Sequence, residues 1–193
     1  MIIGITGGTG CGKTTALSIL EELGGLIIDC DRVYHNLLKT DEALLAEIDN
    51  RFPGTVENGE LNRKKLASIV FSDEAALLDL NAITHKAVKK EVLRLLETAP
   101  KLVAIDAIGL FEGALSELCD TTLAITAPEE VRISRLMARD SITAEQAAAR
   151  IHAQKPQQWF IENCQHHLHN DSTMEAFRCK CIALYEKLGI IEK

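Results

Sequence analysis

The sequence has few aromatic residues, few prolines and no long apolar run. Aromatic side chains make up 4% of its 193 residues, and proline occurs four times. No apolar run approaches the roughly 18 residues that a membrane-spanning helix needs. The first recognisable motif begins at Gly7, which leaves no room for a cleavable signal segment. We therefore expect a cytoplasmic protein without a membrane partner.

An excess of basic residues is also missing. The chain carries 21 Lys and Arg residues against 28 Asp and Glu residues, so its formal net charge is −7. A broad basic surface that binds nucleic acid is therefore not expected, and local cations must meet any anionic ligand. The apolar content of 47% is typical of a globular chain, and the length suits one core with an inserted subdomain.

The six cysteines contain no C-x-x-C pair. This spacing predicts reduced thiols rather than a disulfide framework. One cluster has the residue types of a zinc site, namely Cys164, His166, His167, His169, Cys179 and Cys181. Its His-x-His and Cys-x-Cys spacings are unusual for zinc, so a polar strand edge followed by a helix is the favoured interpretation.

The sequence does contain a phosphate-binding loop. Residues 7–14 read GGTGCGKT and fit the pattern G-x-x-x-x-G-K-[ST], between an apolar run at residues 2–5 and a helical pattern at residues 15–23. The loop N–H groups and the helix dipole are expected to bind the phosphates of a nucleoside triphosphate. Lys13 is predicted to reach the β and γ phosphates, and Thr14 to hold Mg²⁺. The predicted contacts come from Gly8, Thr9, Gly10, Cys11, Gly12, Lys13, Thr14 and Thr15.

Strand and helix patterns alternate at both ends of the chain, which predicts an α/β fold with a parallel central sheet. Strands are predicted at residues 2–6, 26–29, 102–106 and 122–126, with an edge strand at 167–169. Residues 32–99 have a mainly helical pattern that turn-rich residues 53–62 interrupt. Capping-box patterns predict helix starts at Thr126, Thr143 and Ser172.

Carboxylates follow two of the predicted strands. Asp29 and Asp31 lie at the end of the second strand, where ligands of parallel sheets bind. One of them could accept a proton from an attacking hydroxyl, while the other orders Mg²⁺ through water or pairs with Arg32. Asp106 ends the third strand and is placed to support the metal. Residues 106–109 also match D-x-x-G, a motif of GTPases. The chain has no Asn-Lys-x-Asp or Thr-Lys-x-Asp motif for guanine recognition, which argues against a GTPase.

Three arginines, Arg132, Arg135 and Arg139, recur at helical spacing after the fourth strand. Near a triphosphate they could clamp the charge that is transferred, because guanidinium matches phosphate oxygens in a fixed fork. Taken alone, the spacing favours a solvated helix face that pairs with Glu129 and Glu130.

An ordered set of motifs resembles the dephospho-coenzyme A kinase family nearly from end to end. The set comprises TGGTGCGKT at residues 6–14, DCD at 29–31, NGELNRKKL at 58–66, IVFSD at 69–73, LFE at 110–112 and RLMARD at 135–140. The resemblance implies ATP-dependent phosphorylation of the ribose 3′-hydroxyl of dephospho-coenzyme A, with ATP and Mg²⁺. It also implies a three-layer P-loop kinase fold with a core (1–31, 100–128 and 165–193), a helical substrate domain (32–99) and a small lid (129–164).

The resemblance also implies a role for individual residues. Asp31 would be the general base, and Lys13 would stabilise the transferring phosphoryl group. Thr14 would hold Mg²⁺, with Asp29 or Asp106 acting through water. Arg139, alone or with Arg135, would close over ATP. The residues that would receive the substrate are Arg63, His85, Phe111 and Glu112.

Some positions depart from the family pattern. Lys86 stands where the family usually has proline, Phe160 where it tends to have a basic residue, and residues 164–172 differ in several places. We do not expect Asn170, Trp159 or His152 to be functional. Two alternatives stay open: a P-loop kinase of another small alcohol or nucleotide, and a non-catalytic nucleotide-binding regulator. The oligomeric state also stays open.

Overall fold

The structure is a computed structural model, and it describes residues 1–191. These residues form two compact units. The first unit contains Met1–Ile28, Ala99–Leu110 and the chain from Ser116 onward, and the second contains Asp29–Thr98 and Phe111–Leu115. Residues 129–164, the predicted lid, are part of the first unit. Their role as a lid stays a prediction.

Strands and helices alternate as the sequence pattern predicts. The strands are β1 (Ile2–Thr6), β2 (Leu26–Asp29), β3 (Val56–Glu57), β4 (Glu60–Leu61), β5 (Val103–Asp106), β6 (Thr121–Thr126) and β7 (His166–His169). The helices are α1 (Lys13–Glu22), α2 (Cys30–Thr40), α3 (Glu42–Arg51), α4 (Arg63–Val70), α5 (Glu74–Leu96), α6 (Glu129–Asp140), α7 (Ala144–His152), α8 (Gln157–Asn163) and α9 (Met174–Lys187). A short 3₁₀ helix spans Ser116–Leu118.

A five-stranded sheet has the order β2-β5-β1-β6-β7. β1 runs parallel to both β5 and β6, and β6 runs parallel to β7. All five predicted strands are confirmed, with ends that shift by at most one residue. The phosphate-binding loop leaves the carboxyl end of β1, the central strand, and Asp106 ends the neighbouring β5 in register with Ile5.

The core of the first unit lies where β1 packs against α1 and α9. Ile3, Ile5 and Leu20 are fully buried there together with Phe177 and Tyr185. The buried Tyr185 hydroxyl donates a hydrogen bond to the carbonyl oxygen of Ala16 at 3.0 Å, so the polar end of this side chain is satisfied. This packing fixes α1, whose first turn ends the phosphate-binding loop.

Gly7 is required where β1 turns into the loop. Its φ is +141°, and a methyl group there would overlap the backbone carbonyl oxygen of Ile125. We expect Gly7→Ala to lower the free energy of unfolding by about 2–4 kcal/mol, because strain and backbone crowding add. Gly24→Ala is the matched control, since Gly24 has φ +80° but no atom within 4 Å. Thermal unfolding of both variants measures the difference. An equal, small loss of stability in both would contradict the predicted clash at residue 7.

The second unit is helical, as predicted, apart from a hairpin that the sequence prediction missed. The hairpin pairs β3 with β4 inside the segment predicted to be turn-rich. Asn58 and Gly59 form its two-residue turn, both with positive φ, which is the preferred chemistry of such turns. Strands of two residues are too short to produce a recognisable alternation of apolar and polar side chains.

One of the three predicted helix starts is confirmed, one is wrong and one is displaced. Thr143 forms a complete capping box with Gln146 at the start of α7. Thr126 instead belongs to β6, and α6 begins after Pro128 without a side-chain cap. The cap of α9 is Thr173 rather than Ser172. Within residues 1–191, no helix combines the length and apolar character needed to span a membrane.

Candidate functional site

The loop between β1 and α1 presents backbone N–H groups. Gly12 is the N-cap of α1, has φ +95° and provides no side-chain cap. The first N–H groups of a helix have no acceptor within the helix, so those of Lys13 and Thr14 can bind an anion. The Cys11 N–H is already used, since it donates to the Gly8 carbonyl oxygen at 3.3 Å.

Lys13 lies folded along the loop. Its Nζ donates to the Gly7 carbonyl oxygen at 3.1 Å and lies 3.9 Å from Oδ1 of Asp106. The Lys13 side chain is only 14% exposed, so its charge is held close to the loop rather than in bulk solvent. The structure therefore brings the predicted phosphate ligand Lys13 together with the predicted metal-supporting residue Asp106.

Oxygen donors suited to Mg²⁺ are present in the first unit. Thr14 is exposed in the first turn of α1, and Asp106 is a partly buried carboxylate beside Lys13. Hydroxyl and carboxylate oxygens are the ligands that Mg²⁺ prefers, usually with water and phosphate completing its shell. Thr14 and Asp106 therefore fit the metal predicted from the sequence.

Arg132 of α6 contacts the outer side of the loop. Its Nε donates to the Thr9 carbonyl oxygen at 2.8 Å, and its Nη2 lies 3.5 Å from Oε1 of Gln154. The same Gln154 oxygen accepts from the Thr9 N–H at 2.8 Å. Both backbone groups of Thr9 are therefore held by side chains. Gln154 would compete with a phosphate for the Thr9 N–H.

Two more side chains hold loop carbonyl groups. Nη1 of Arg135 donates to the Gly10 carbonyl oxygen at 3.1 Å. Nδ2 of Asn170, which directly follows β7, donates to the Cys11 carbonyl oxygen at 2.9 Å. Asn170 is 3% exposed, and its own backbone N–H donates to Thr126 at 2.8 Å. Asn170 therefore contacts the phosphate-binding loop, while the expectation that it is not functional is not tested by this contact.

Arg139 has a different environment from the other two arginines of α6. Its guanidinium makes two hydrogen bonds to the Asp140 carboxylate, which also accepts from Arg150. Hydrogen bonding to Arg139 lowers the pKa of Asp140. The predicted contact of Arg139 with ATP stays a prediction, and it would require this ion pair to open.

The paired aspartates Asp29 and Asp31 take separate positions. β2 ends at Asp29, whose carboxylate caps α2 by accepting from the Arg32 N–H at 3.0 Å. Asp31 is an exposed acidic residue in the first turn of α2. Because the helix begins directly after β2, the two carboxylates do not follow the alternation of a strand.

Three of the four residues predicted to receive the substrate line two cavities of the second unit. Arg63 borders an apolar cavity of about 240 Å³, in which burial raises the pKa of Tyr34. His85 and Glu112 line another cavity of about 480 Å³. Phe111 begins the tight turn next to Glu112, since the Ala114 N–H donates to the Phe111 carbonyl oxygen at 2.9 Å.

The cavity of His85 and Glu112 is rich in cations. Lys86, Lys89 and Lys90 line it from the same helix, α5. Lys86 also pairs with Glu47 at 3.4 Å. The sequence prediction missed these lysines, although their spacing of three and four residues places them on one helix face. The chain thus concentrates positive charge here despite its negative net charge.

The structure gives no support to the alternative zinc site. Within residues 1–191, no three His, Cys, Asp or Glu side chains are grouped so that they could hold a metal ion. His167 and His169 both contact the Thr126 hydroxyl, at 2.7 and 2.8 Å. Burial raises the pKa of Cys164 to about 11, which disfavours the thiolate that zinc needs.

Two other residues of the first unit lie outside the loop contacts. His152 pairs with Glu129 at 3.0 Å on the surface, and the ring of Trp159 meets that of Phe160 edge to face. The expectation that they are not functional stays a prediction.

Comparison with known proteins extends over almost the whole chain. A family model described as dephospho-CoA kinase matches residues 1–176. A dephospho-CoA kinase from Moorella thermoacetica is 36% identical over 194 residues, covering 97% of this chain and 92% of that protein. One from Carboxydothermus hydrogenoformans is 33% identical, covering 96% of this chain and 93% of that protein.

Solved structures share the same fold. A Thermus thermophilus protein matches with a TM-score of 0.81 and 32% identity, covering 97% of each chain. A dephospho-CoA kinase from Campylobacter jejuni matches with a TM-score of 0.68 and 25% identity, covering 97% of this chain and 96% of that one. A shikimate kinase from Bacteroides thetaiotaomicron has a TM-score of 0.58 at 16% identity, over 98% of each chain, which shows similarity of fold alone.

Proposed function

Since this chain belongs to the dephospho-CoA kinase family, we propose that it transfers the γ-phosphoryl group of ATP to the ribose 3′-hydroxyl of dephospho-CoA. The observation that carries the proposal is the loop of residues 7–14, whose helix-terminal N–H groups and Lys13 would form an anion site, within a family match that covers residues 1–176. Transfer of a phosphoryl group depends mainly on positioning and on stabilising charge, and this loop supplies both.

Lys13 and the N–H groups at the start of α1 would bind the β and γ phosphates. To do so, Nζ of Lys13 would leave the Gly7 carbonyl oxygen, which it contacts at 3.1 Å. Asp106 at 3.9 Å would keep the ammonium oriented at the carboxyl edge of the sheet. The N–H groups are preorganised by the backbone, so they stabilise charge on the transferring group without rearranging, and Lys13 joins them once ATP is bound.

Thr14 and Asp106 would hold Mg²⁺, Asp106 through water. Bound there, the ion would neutralise charge on the phosphate oxygens. Asp29 is a weaker candidate, because its carboxylate already caps α2. The metal ligands are therefore assigned to the first unit.

Asp31 would accept the proton of the attacking hydroxyl. Its support is its position two residues beyond β2, at the carboxyl end of a sheet strand, where ligands of α/β proteins bind. Asp31 is also exposed. Among the described contacts its carboxylate does not cap a helix, whereas that of Asp29 accepts from the Arg32 N–H. Arg139 would place its positive charge close to ATP once its ion pair with Asp140 opens. Arg135, on the preceding turn of α6, would assist it.

The cavity that contains His85 and Glu112 would receive dephospho-CoA. Three lysines on α5 supply the positive charge that the diphosphate of this substrate needs. Glu112 would repel the diphosphate, so it would accept hydrogen bonds from neutral donors such as amide or amino groups. Arg63 and Phe111 would contact other parts of the substrate. The proposed reaction also fits the predicted cytoplasmic location, which stays a prediction.

Comparing acceptors tests the proposed function. We expect ADP formation from ATP with dephospho-CoA to exceed that with nucleoside monophosphates or shikimate by at least about 10²-fold in kcat/KM, because a site that binds the whole acceptor uses its remote groups for catalysis. Product analysis should find the new phosphate on the ribose 3′ position. Equal activity with another small alcohol would favour the alternative kinase, and ATP binding without transfer to any acceptor would favour the non-catalytic regulator.

The same assay locates the acceptor. His85→Ala should raise KM for dephospho-CoA several-fold and leave KM for ATP unchanged, since the two ligands use different units in this proposal. Lys64→Ala is the control, because Lys64 is an exposed cation of the second unit that does not line the cavity. An unchanged acceptor KM in His85→Ala would remove this cavity from the proposal.

A further inference from the structure

The carbonyl groups on the outer side of the phosphate-binding loop are held by side chains from distant parts of the chain. Arg132 binds the carbonyl of Thr9, and Asn170 binds that of Cys11. These contacts join residues that are 123 and 159 positions apart in the sequence. A peptide plane carries its N–H opposite its C=O, so holding carbonyl groups outward also orients the neighbouring N–H groups.

Arg132 is unusually well buried for an arginine. It is 4% exposed, and burial lowers the pKa of its guanidinium. Its charge is nevertheless retained, because arginine stays protonated in proteins. A buried charge is costly unless it is hydrogen-bonded, and here the Thr9 carbonyl and Gln154 supply the acceptors.

The loop sequence leaves room for this guanidinium. A methyl group on Gly8 would overlap Nη2 of Arg132, and one on Gly10 would lie 3.0 Å from the Arg132 carbonyl oxygen. The absence of side chains at Gly8 and Gly10, two free positions of the phosphate-binding motif, therefore allows the close approach of α6. This packing would be lost if the loop moved away from Arg132.

Asn170 acts on the other end of the loop. Its Nδ2 faces Gly12, where a methyl group would overlap it, and binds the Cys11 carbonyl at 2.9 Å. Its Oδ1 is buried and has no hydrogen-bond partner among the described residues. A buried acceptor without a partner is unfavourable, so the amide is kept here at some expense to stability.

We propose that Arg132, Gln154 and Asn170 are positioning residues that hold the loop in its ATP-binding conformation before ATP arrives. Arg132 and Gln154 fix both backbone groups of Thr9, and Asn170 fixes the peptide that leads into α1. The N–H groups at the start of α1 then need no reorganisation when the phosphates bind. The inference rests on the proposed function only in taking ATP as the ligand of the loop.

The test measures the ATP dissociation constant by calorimetry, separately from turnover. Arg132→Ala should weaken ATP binding about tenfold or more, because it removes a charge-assisted hydrogen bond to the loop. Arg132→Lys should recover part of the affinity, since lysine keeps the positive charge but lacks the paired N–H donors of the planar guanidinium. Asn170→Asp should also weaken binding, because a carboxylate cannot donate to the Cys11 carbonyl. KM for dephospho-CoA should stay unchanged in all three variants.

A double-mutant cycle separates positioning from a general loss of folding. Gly8→Ala should weaken ATP binding in the native background by displacing the guanidinium, but should add less than about threefold in the Arg132→Ala background. Arg178→Ala is the control, because Arg178 pairs with Glu22 on the surface of the same unit. It should leave ATP affinity unchanged.

Two results would overturn the inference. One is an ATP affinity within twofold of the native value in Arg132→Ala, and the other is full additivity of Gly8→Ala and Arg132→Ala. If a variant loses its cooperative thermal transition, Arg132→Lys and Asn170→Asp decide the outcome in its place. A native chain that binds ATP but never phosphorylates dephospho-CoA would contradict the proposed function and leave this inference standing.

Discussion

Asp31→Asn is expected to lower kcat by about 10²-fold or more while ATP binding is retained. Asparagine has nearly the same shape as aspartate but cannot accept the proton of the attacking hydroxyl, and general base catalysis contributes about 10²–10⁴-fold. Asp31 is exposed in the first turn of α2, so the substitution leaves the core of the second unit intact. Steady-state kinetics with dephospho-CoA, together with calorimetry of ATP binding, measures both quantities.

Asp41→Asn is the matched control for this change. Asp41 caps α3 in the same unit by accepting from the Leu44 N–H at 3.0 Å, and asparagine caps helices equally well. The control removes the same charge and should leave kcat within about twofold. Asp29→Asn tests the other aspartate of the pair. Asp29 caps α2, and asparagine can keep that cap, so the variant removes the charge without removing the cap. A larger loss in Asp29→Asn than in Asp31→Asn would transfer the role of base to Asp29.

Lys13→Met should lower kcat/KM for ATP by about 10²–10³-fold. The ammonium lies between the Gly7 carbonyl and Asp106, so it is held ready at the loop. Removing one preorganised donor that stabilises transition-state charge typically has this effect on rate. Methionine keeps the length and the apolar stem of the side chain. Initial rates at varied ATP concentration measure the loss.

Lys101→Met controls for the loss of a positive charge. Lys101 is exposed just before β5, so it lies at the amino end of the strand whose carboxyl end carries Asp106. Its substitution should leave kcat/KM within about twofold, because the charge is far along the strand from the loop and is screened by salt. Comparable losses in the two variants would mean that net charge, rather than the contact of Lys13 with phosphate, controls the reaction.

The sheet and its phosphate-binding loop were predictable because their signals are local. Four of the five strands contain a short apolar run that is followed by a polar residue, and GGTGCGKT occurs directly after the first of them. The hairpin at Val56–Leu61 was missed because two-residue strands carry no such pattern. Thr126 was wrongly taken as a helix cap because a capping box in the sequence does not reveal that its first residue still pairs in a sheet.

The proposed substrate cavity could be predicted only in part. The family resemblance selected His85 and Glu112, and the structure places both beside one cavity. Arg63, from the same resemblance, borders a different cavity. Sequence motifs identify residues without showing which of them share a surface, since that depends on how α4 and α5 pack.

By itself, the amino-acid sequence determined that a parallel sheet carries a triphosphate loop, since periodicity and glycine spacing act over a few residues. It also determined, through an ordered set of motifs, the family to which the chain belongs. Only the tertiary structure decided what holds the loop in place. Arg132, Gln154 and Asn170 reach Thr9 and Cys11 across more than a hundred residues of chain, and hydrogen bonds of that range leave no local pattern in the sequence.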